Sequence, residues 1–277
     1  MELYLPANFS DSVDFFSKVA SLQNEIRGSY GRDVLIRLPD SDFLNDRTNL
    51  FLLSCLVALG KQEDKKILVD VAFDFGFQND TFIKIFQLND TTEIIDLVRN
   101  EISSNMPIKM TDDFEEEFVS LIAEIYANAR EHSEADFIMG ISYKSRDTNG
   151  KKKLCFCCYD TGTGIIGNVR HYHIGDDTSP IFKTFAAGVY FLQWALKSGN
   201  STKTDGYARG LGLTRLLQFS EVNHGFFRIC NESVLFEKNS DGRQTLKKLE
   251  GEFLGSFFEM HIMEDPGIRY GLKGEGL

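Results

Sequence analysis

The amino-acid sequence predicts an α+β protein with a small α/β unit, residues 1–107, ahead of a larger unit, residues 108–277. Three observations predict it. Strand-like and helix-like patterns alternate through the first hundred residues. Ser103-Ser104-Asn105 and Pro107 then break that run, because proline cannot continue a helix. Beyond the break come a long helix, two strands, a helix-rich stretch to about Asn223, and closing strands from Phe226 to Ile262.

In the first unit, Ser10 to Arg27 has helical spacing, with Val13, Phe16, Val19, Ala20 and Leu22 roughly on one side. Residues 33–38, DVLIRL, read as a strand and Asn45 to Leu59 as an apolar helix. KKILVDVAF, residues 65–73, reads as a second, buried strand, and Thr92 to Ile102 as another helix. In the second unit, Thr111-Asp112-Asp113 caps a helix whose first turn holds Glu115, Glu116 and Glu117. Acids there complement the helix dipole, which accounts for the charge run without a further function. Asp136 to Tyr143 and Lys153 to Tyr159 read as strands joined through an Asn149-Gly150 turn. The basic run Lys151-Lys152-Lys153 belongs to that solvated turn.

Composition narrows the function classes. The chain of 277 residues is 42% apolar and 26% charged, as in an ordinary globular protein. No apolar run approaches the ~18–20 residues that span a bilayer. The start, Met-Glu-Leu-Tyr-Leu-Pro, has no basic segment followed by an apolar one, so no secretory signal is expected. A net charge of −11 argues against nonspecific nucleic-acid binding, which needs clustered Lys and Arg. The five cysteines, Cys55, Cys155, Cys157, Cys158 and Cys230, are odd in number. Neighbours on a strand face opposite ways, so buried thiols in a reducing cytoplasm are expected, and not a metal site or disulfide framework.

The stretch LCFCCYDTGTGIIG, Leu154 to Gly167, admits three chemical readings. Asp160-Thr161-Gly162 resembles an aspartic-protease turn, but that reaction needs two such turns sharing one proton and the sequence has one. Gly162-x-Gly164-x-x-Gly167 fits a dinucleotide fingerprint, but Asp160 would repel a pyrophosphate. The acid expected ~20 positions further on is also missing. In the third reading Asp160 ends a strand and accepts a hydrogen bond from adenine's exocyclic amine, while the glycines turn the backbone beside the base.

The third reading makes demands elsewhere in the chain. A cation site and a glycine-rich phosphate cover are needed. In AEIYANAREHS, Glu124 and Asn128 are spaced i, i+4 and share a helical face. A carboxylate there can act as a base, and an amide oxygen as a hard ligand for Mg²⁺. In GNSTKTDGYARGLGLTRLLQF, Gly210-Leu211-Gly212 opens an apolar helix whose N-terminal amides can receive phosphate oxygens. Lys203 and Arg209 supply positive charge nearby.

On these residues the chain resembles the GHKL ATPases, from about Thr111 to Met263. The superfamily holds gyrase-type ATPases, large chaperones, histidine kinases, mismatch-repair ATPases and anti-sigma-factor serine kinases. Glu124-Ile-Tyr-Ala-Asn128 looks like the N box, Asp160-Thr-Gly162-Thr-Gly164 like the G1 box and Gly210-Leu-Gly212-Leu like the G2 box. LGSFFEMHI resembles the last strand, with Ser256 where many members carry Thr. The resemblance implies a Bergerat-type ATP-binding sandwich, a largely antiparallel mixed sheet with helices on one face. It implies ATP and Mg²⁺, with Asn128 on the metal, Asp160 on adenine, and Lys203 preferred over Arg209 at the terminal phosphate. Ser201 and Thr202 would add hydroxyl contacts there, under a lid from Gly167 to Arg209. Residues 33–75 are similar in flavour to STAS domains, the fold of anti-sigma-factor antagonists.

Five histidines, His132, His171, His173, His224 and His261, all follow the break, where a phosphoacceptor on an earlier helix is not available. Only 65 residues follow Gly212, so a gyrase-like transducer would come from another chain. Two expectations of different class remain. One is an enzyme, a slow ATPase or an anti-sigma-type serine/threonine kinase in a regulatory system, with Glu124 as base. The other is an ATP-gated interaction module whose lid controls association with a protein partner or a second copy. His171, His173, Asp176 and Asp177 are expected in a mobile, solvated loop and not at a metal. Trp194 and its neighbouring phenylalanines are expected to pack.

Overall fold

The computed structural model describes residues 1–5, 12–29, 33–37, 47–62, 67–70, 95–96, 98–102, 106–131, 138–147, 149–202 and 212–271. The strands are β1 (Glu2–Tyr4), β2 (Val34–Arg37), β3 (Ile67–Asp70), β4 (Ile108–Met110), β5 (Ile138–Arg146), β6 (Lys152–Asp160), β7 (Phe226–Lys238), β8 (Gln244–Met263) and β9 (Asp265–Tyr270). The α-helices are α1 (Ser12–Gly28), α2 (Arg47–Gln62), α3 (Asp112–Glu131), α4 (Gly164–Ile174), α5 (Phe185–Ala195) and α6 (Gly212–Val222). Helix and strand thus mix in an α+β structure. Of the helix expected over Thr92–Ile102, Ile95 and Asp96 are α-helical and Val98–Ile102 is a π-helical turn, with Thr92 to Ile94 and Leu97 outside the described residues. Three-residue strands such as β1 and β4 are too short to announce themselves by period.

β1, β2 and β3 form a parallel sheet, and β4 pairs in parallel with β9. The central sheet has the order β5-β6-β8-β7 and is antiparallel throughout. The β5–β6 turn is closed by Asp147, whose Oδ1 accepts the amides of Asn149 and Lys151 at 2.9 and 2.8 Å. At the start of α3, Thr111 Oγ1 accepts the Phe114 amide at 3.3 Å, the expected cap.

β6 is apolar on both faces, so two layers must cover it. On one face Phe156, Cys158, Phe227, Ile229 and Phe258 pack with α3, α4, α5 and α6. On the other, Cys155, Cys157, Tyr159, Cys230 and Phe257 pack with Phe16 and Leu22 of α1 and Phe51 and Leu52 of α2. Helices therefore cover both faces of the sheet and not one face as expected, because the second layer comes from the first hundred residues. Gln23 marks the join: its Nε2 donates to Tyr159 Oη at 2.9 Å, and its Oε1 accepts the Leu254 amide at 2.9 Å. All five cysteines are free and buried; the four on strands divide between the faces as strand alternation requires, and Cys55 is on α2.

A charged cluster lies under that second layer. Arg228 reaches Glu259 at 2.6 Å and Glu237 at 2.9 Å, and stands over the rings of Phe16 and Phe226. His261 Nε2 meets Glu259 Oε1 at 2.7 Å, and Thr48 of α2 donates to the same oxygen at 2.9 Å. Burial works against the Glu259 charge, but Arg228, His261 and Thr48 outweigh it and hold the carboxyl at about 2. Burial also works against charge on His261, but Cys155 and Glu259 raise it to about 9.

The signs follow. The Glu259 contribution is present above 4.5 and is lost as pH falls through about 2. The His261 contribution is full below 6.5 and is lost as pH rises through about 9. Thermal midpoints are expected to fall as pH drops below 4.5 and Glu259 is protonated, and His261→Gln should flatten the part of the alkaline decline that lies between 6.5 and about 9.

Candidate functional site

Asp160 ends β6 within a row that crosses the sheet. Ile138, Asp160, Ser256 and Asn231 are register neighbours on β5, β6, β8 and β7. Strand alternation puts Asp160, Ser256 and Asn231 on the face shared by Cys158, Phe258 and Ile229, which α3 to α6 cover. Three polar side chains thus sit at the end of an apolar face, at the start of α4.

Asn231 fastens the row to the helix. Its Oδ1 accepts the Ile166 amide at 2.7 Å, and its Nδ2 donates to the Gly255 carbonyl at 2.6 Å. The first bond satisfies one of the amides that a helix start leaves free. Gly164 opens α4 with φ +75°, and a Cβ there would lie 2.2 Å from Asn231 Nδ2 and 2.8 Å from Ser256 Oγ. Both the backbone conformation and the space require glycine.

The Asp160 carboxyl is 4% exposed and accepts the Gly162 amide at 2.9 Å. Burial pushes it up to about 7, against weaker downward pulls from the Gly162 amide and from Ser256. The Ser256 hydroxyl lies near enough for the carboxylate to feel it, but not aligned as a hydrogen bond. Thr161 Oγ1 and Ser256 Oγ are buried with no hydrogen-bond partner. Unpaired buried hydroxyls are costly, so two beside a buried carboxyl mark a place built for a polar occupant.

A second group forms where α3 meets α6. Glu124, half-buried on α3, lies against Gly212, the first residue of α6; a Cβ at Gly212 would stand 2.7 Å from Glu124 Oε2. A carboxylate is favoured at that helix N-terminus, where the dipole is positive. Glu117 and Arg215 add an ion pair between the same two helices.

Asp160, Gly162, Gly164 and Ser256 are thus brought together, and so are Glu124 and Gly212. Ser201 and Thr202 lie half-buried a few residues after α5. Asn128 is on α3, but its side chain lies outside the described residues, as do Lys203, Arg209, Gly210 and His132. Asn231 and the Arg170–Glu232 ion pair that ties α4 to β7 are additions to the expected set. Their one sequence signal is Asn231-Glu232-Ser233, a polar break inside an apolar strand.

The segment expected as a mobile loop is structured. His171 and His173 are in α4, and only Gly175 onward is turn. A second short helix, Pro180–Lys183, and α5 follow. Ile166, Val169, Phe191 and Leu192 bury this segment against the core, which is why it folds. His173 sits among Trp194, Phe191 and Tyr190 at 4.9, 6.1 and 6.2 Å, so the aromatic run packs as expected. Among the described residues no group of three or more His, Cys, Asp and Glu can hold a metal. No helix among them is long and apolar enough to cross a membrane.

No protein-family model and no curated protein matches the chain.

Proposed function

We propose that this is an ATP-binding protein of the GHKL type, with Asp160 as the adenine acceptor and Glu124 as a general base. The observation that carries the reading is the buried Asp160 carboxyl beside the unpartnered hydroxyls of Thr161 and Ser256. Adenine's exocyclic amine supplies the donor that a carboxylate lacks there, and the two hydroxyls can serve the ring nitrogens directly or through water. The residues present fit the base. Phosphates fall to the α6 start, with Gly210 and Gly212, and to Lys203, Arg209, Ser201 and Thr202. Asn128 would hold Mg²⁺, which neutralises charge on the phosphates.

Glu124 draws the proton from the attacking oxygen, either water in a slow ATPase or a Ser/Thr hydroxyl of a protein partner. A base has no purpose in simple nucleotide binding, so chemistry is preferred over an ATP-gated module. The Bergerat architecture is part of the same proposal, supported by the antiparallel sheet with α3 and α6 side by side. Single-turnover assays with labelled ATP, with and without partner protein, test it. Glu124→Gln is expected to lower turnover by about 10²–10⁴-fold while ATP affinity stays within a factor of about three. Unchanged turnover would leave only the gated module. Gly212→Ala, which pushes a methyl into Glu124, should lower turnover in the same way.

A further inference from the structure

We propose that two copies of this chain associate through the exposed aromatic face of α4 and α5, about a two-fold axis. Eight large hydrophobic side chains are exposed among the described residues, and Tyr172, Ile181 and Tyr190 stand together here, at 48%, 68% and 58%. An open cleft of about 510 Å³ runs beside them, lined by Ile174, Ile181, Phe182, Ala186, Tyr190 and Phe191. From Phe185 to Leu196 no side chain is charged. α5 buries Gly188, Phe191 and Leu192 on one side and exposes Ala186 and Tyr190 on the other. Apart from Gln193, the exposed side of α5 is apolar, and contiguous exposed apolar surface marks a contact.

Charge selects a second copy as that cover. The chain carries a net −11, so two copies repel over most approaches. Residues 171–197 depart from this: Lys183 and Lys197 balance Asp176 and Asp177, and the neighbouring Arg170 is held by Glu232. The exposed rim also holds both signs, Asp176 and Asp177 after α4 and Lys183 before α5. A two-fold axis sets such a rim against itself, since residue i meets j and j meets i. A partner of single sign is attracted by one part of the rim and repelled by the other. Ile181 and Tyr190 project beside the cleft, so each copy offers both a knob and a recess.

Sedimentation velocity of the full chain over a micromolar concentration series is the test, with no nucleotide present. A reversible dimer is expected. Tyr190→Glu and Ile181→Glu should each weaken it roughly tenfold or more. Val222→Glu, on an equally exposed residue of α6, should not. Lys183→Asp should weaken association, and adding Asp177→Lys should restore it. Because all five native cysteines are buried, an oxidised Gln193→Cys variant should cross-link selectively, unlike Val222→Cys. Far-ultraviolet circular dichroism on each variant establishes that it is folded. A chain monomeric throughout, or a dimer that both glutamate variants leave intact, overturns the proposal. So does equal cross-linking by Val222→Cys.

Discussion

Asp160→Asn is expected to weaken adenine-nucleotide binding about 30- to 150-fold while raising the stability of the protein. The two effects have one cause. Burial holds the Asp160 carboxyl at about 7, from an ordinary 3.8, so the folded state resists its ionisation. Its contribution to stability is full below 3.8 and is lost as pH rises through about 7. An amide of the same shape removes that penalty, about three units at ~1.4 kcal/mol each, and should add up to about 4 kcal/mol at pH 8, with little change at pH 4. For adenine the exchange is adverse, because the amide replaces an anionic acceptor by a neutral group that can turn its donor toward the base. The loss should be about 2–3 kcal/mol, some 30- to 150-fold in Kd. Calorimetric titration and thermal melts on the same samples check both halves. A variant that lost binding and stability together would point to misfolding.

Arg228→Met is the most damaging single change expected away from the site. Glu259 is 2% exposed, and the Arg228 guanidinium bridges it to Glu237. Removing the arginine leaves a buried carboxylate with His261 as its remaining cation, a change of about 3–5 kcal/mol. Because the cluster lies beneath α1 and α2, the loss should loosen the N-terminal layer first. Hydrogen exchange is expected to rise at Phe16, Leu22 and Leu52 before Phe118 or Phe227. A paired Arg228→Met, Glu259→Leu variant should recover much of the stability at neutral and alkaline pH, since the buried carboxylate is gone and His261, relieved of it, can lose its proton. If the single variant melts within about 1 kcal/mol of the wild type, the cluster is not what fastens the layer.

The sequence made the long elements legible, and α1, α2, α3, β5 and β6 lie close to where hydrophobic period put them. What it did not show was how the two parts of the chain meet. LCFCCY was read for the chemistry of its cysteines. Its alternate residues are all apolar, and that is the signal that both faces of the sheet are covered. The polar RHYHIGDD suggests a mobile segment, but Ile166, Val169, Phe191 and Leu192 bury it. Asp160, Gly164 and Ser256 could be paired by motif. Asn231 could not, because its role depends on the register of β7 against β8 and on the Ile166 amide, 65 positions away. The Glu124–Gly212 approach likewise joins residues nearly ninety positions apart, and nothing local encodes it.

The central claim is that Asp160 reads adenine, and its own titration is the most direct measurement. Carboxyl-selective carbon NMR, assigned with Asp160→Asn, gives that midpoint in the free protein and with saturating ADP or GDP. The two nucleotides share their phosphate charge, so their difference isolates the base. Adenine's exocyclic amine donates to the carboxylate and favours its ionised form; guanine carries a carbonyl acceptor at the position of that amine. The expected result is a midpoint near 7 in the free protein that ADP lowers by about one unit or more, and that GDP does not lower. A midpoint unmoved by ADP, or lowered equally by GDP, would contradict the assignment.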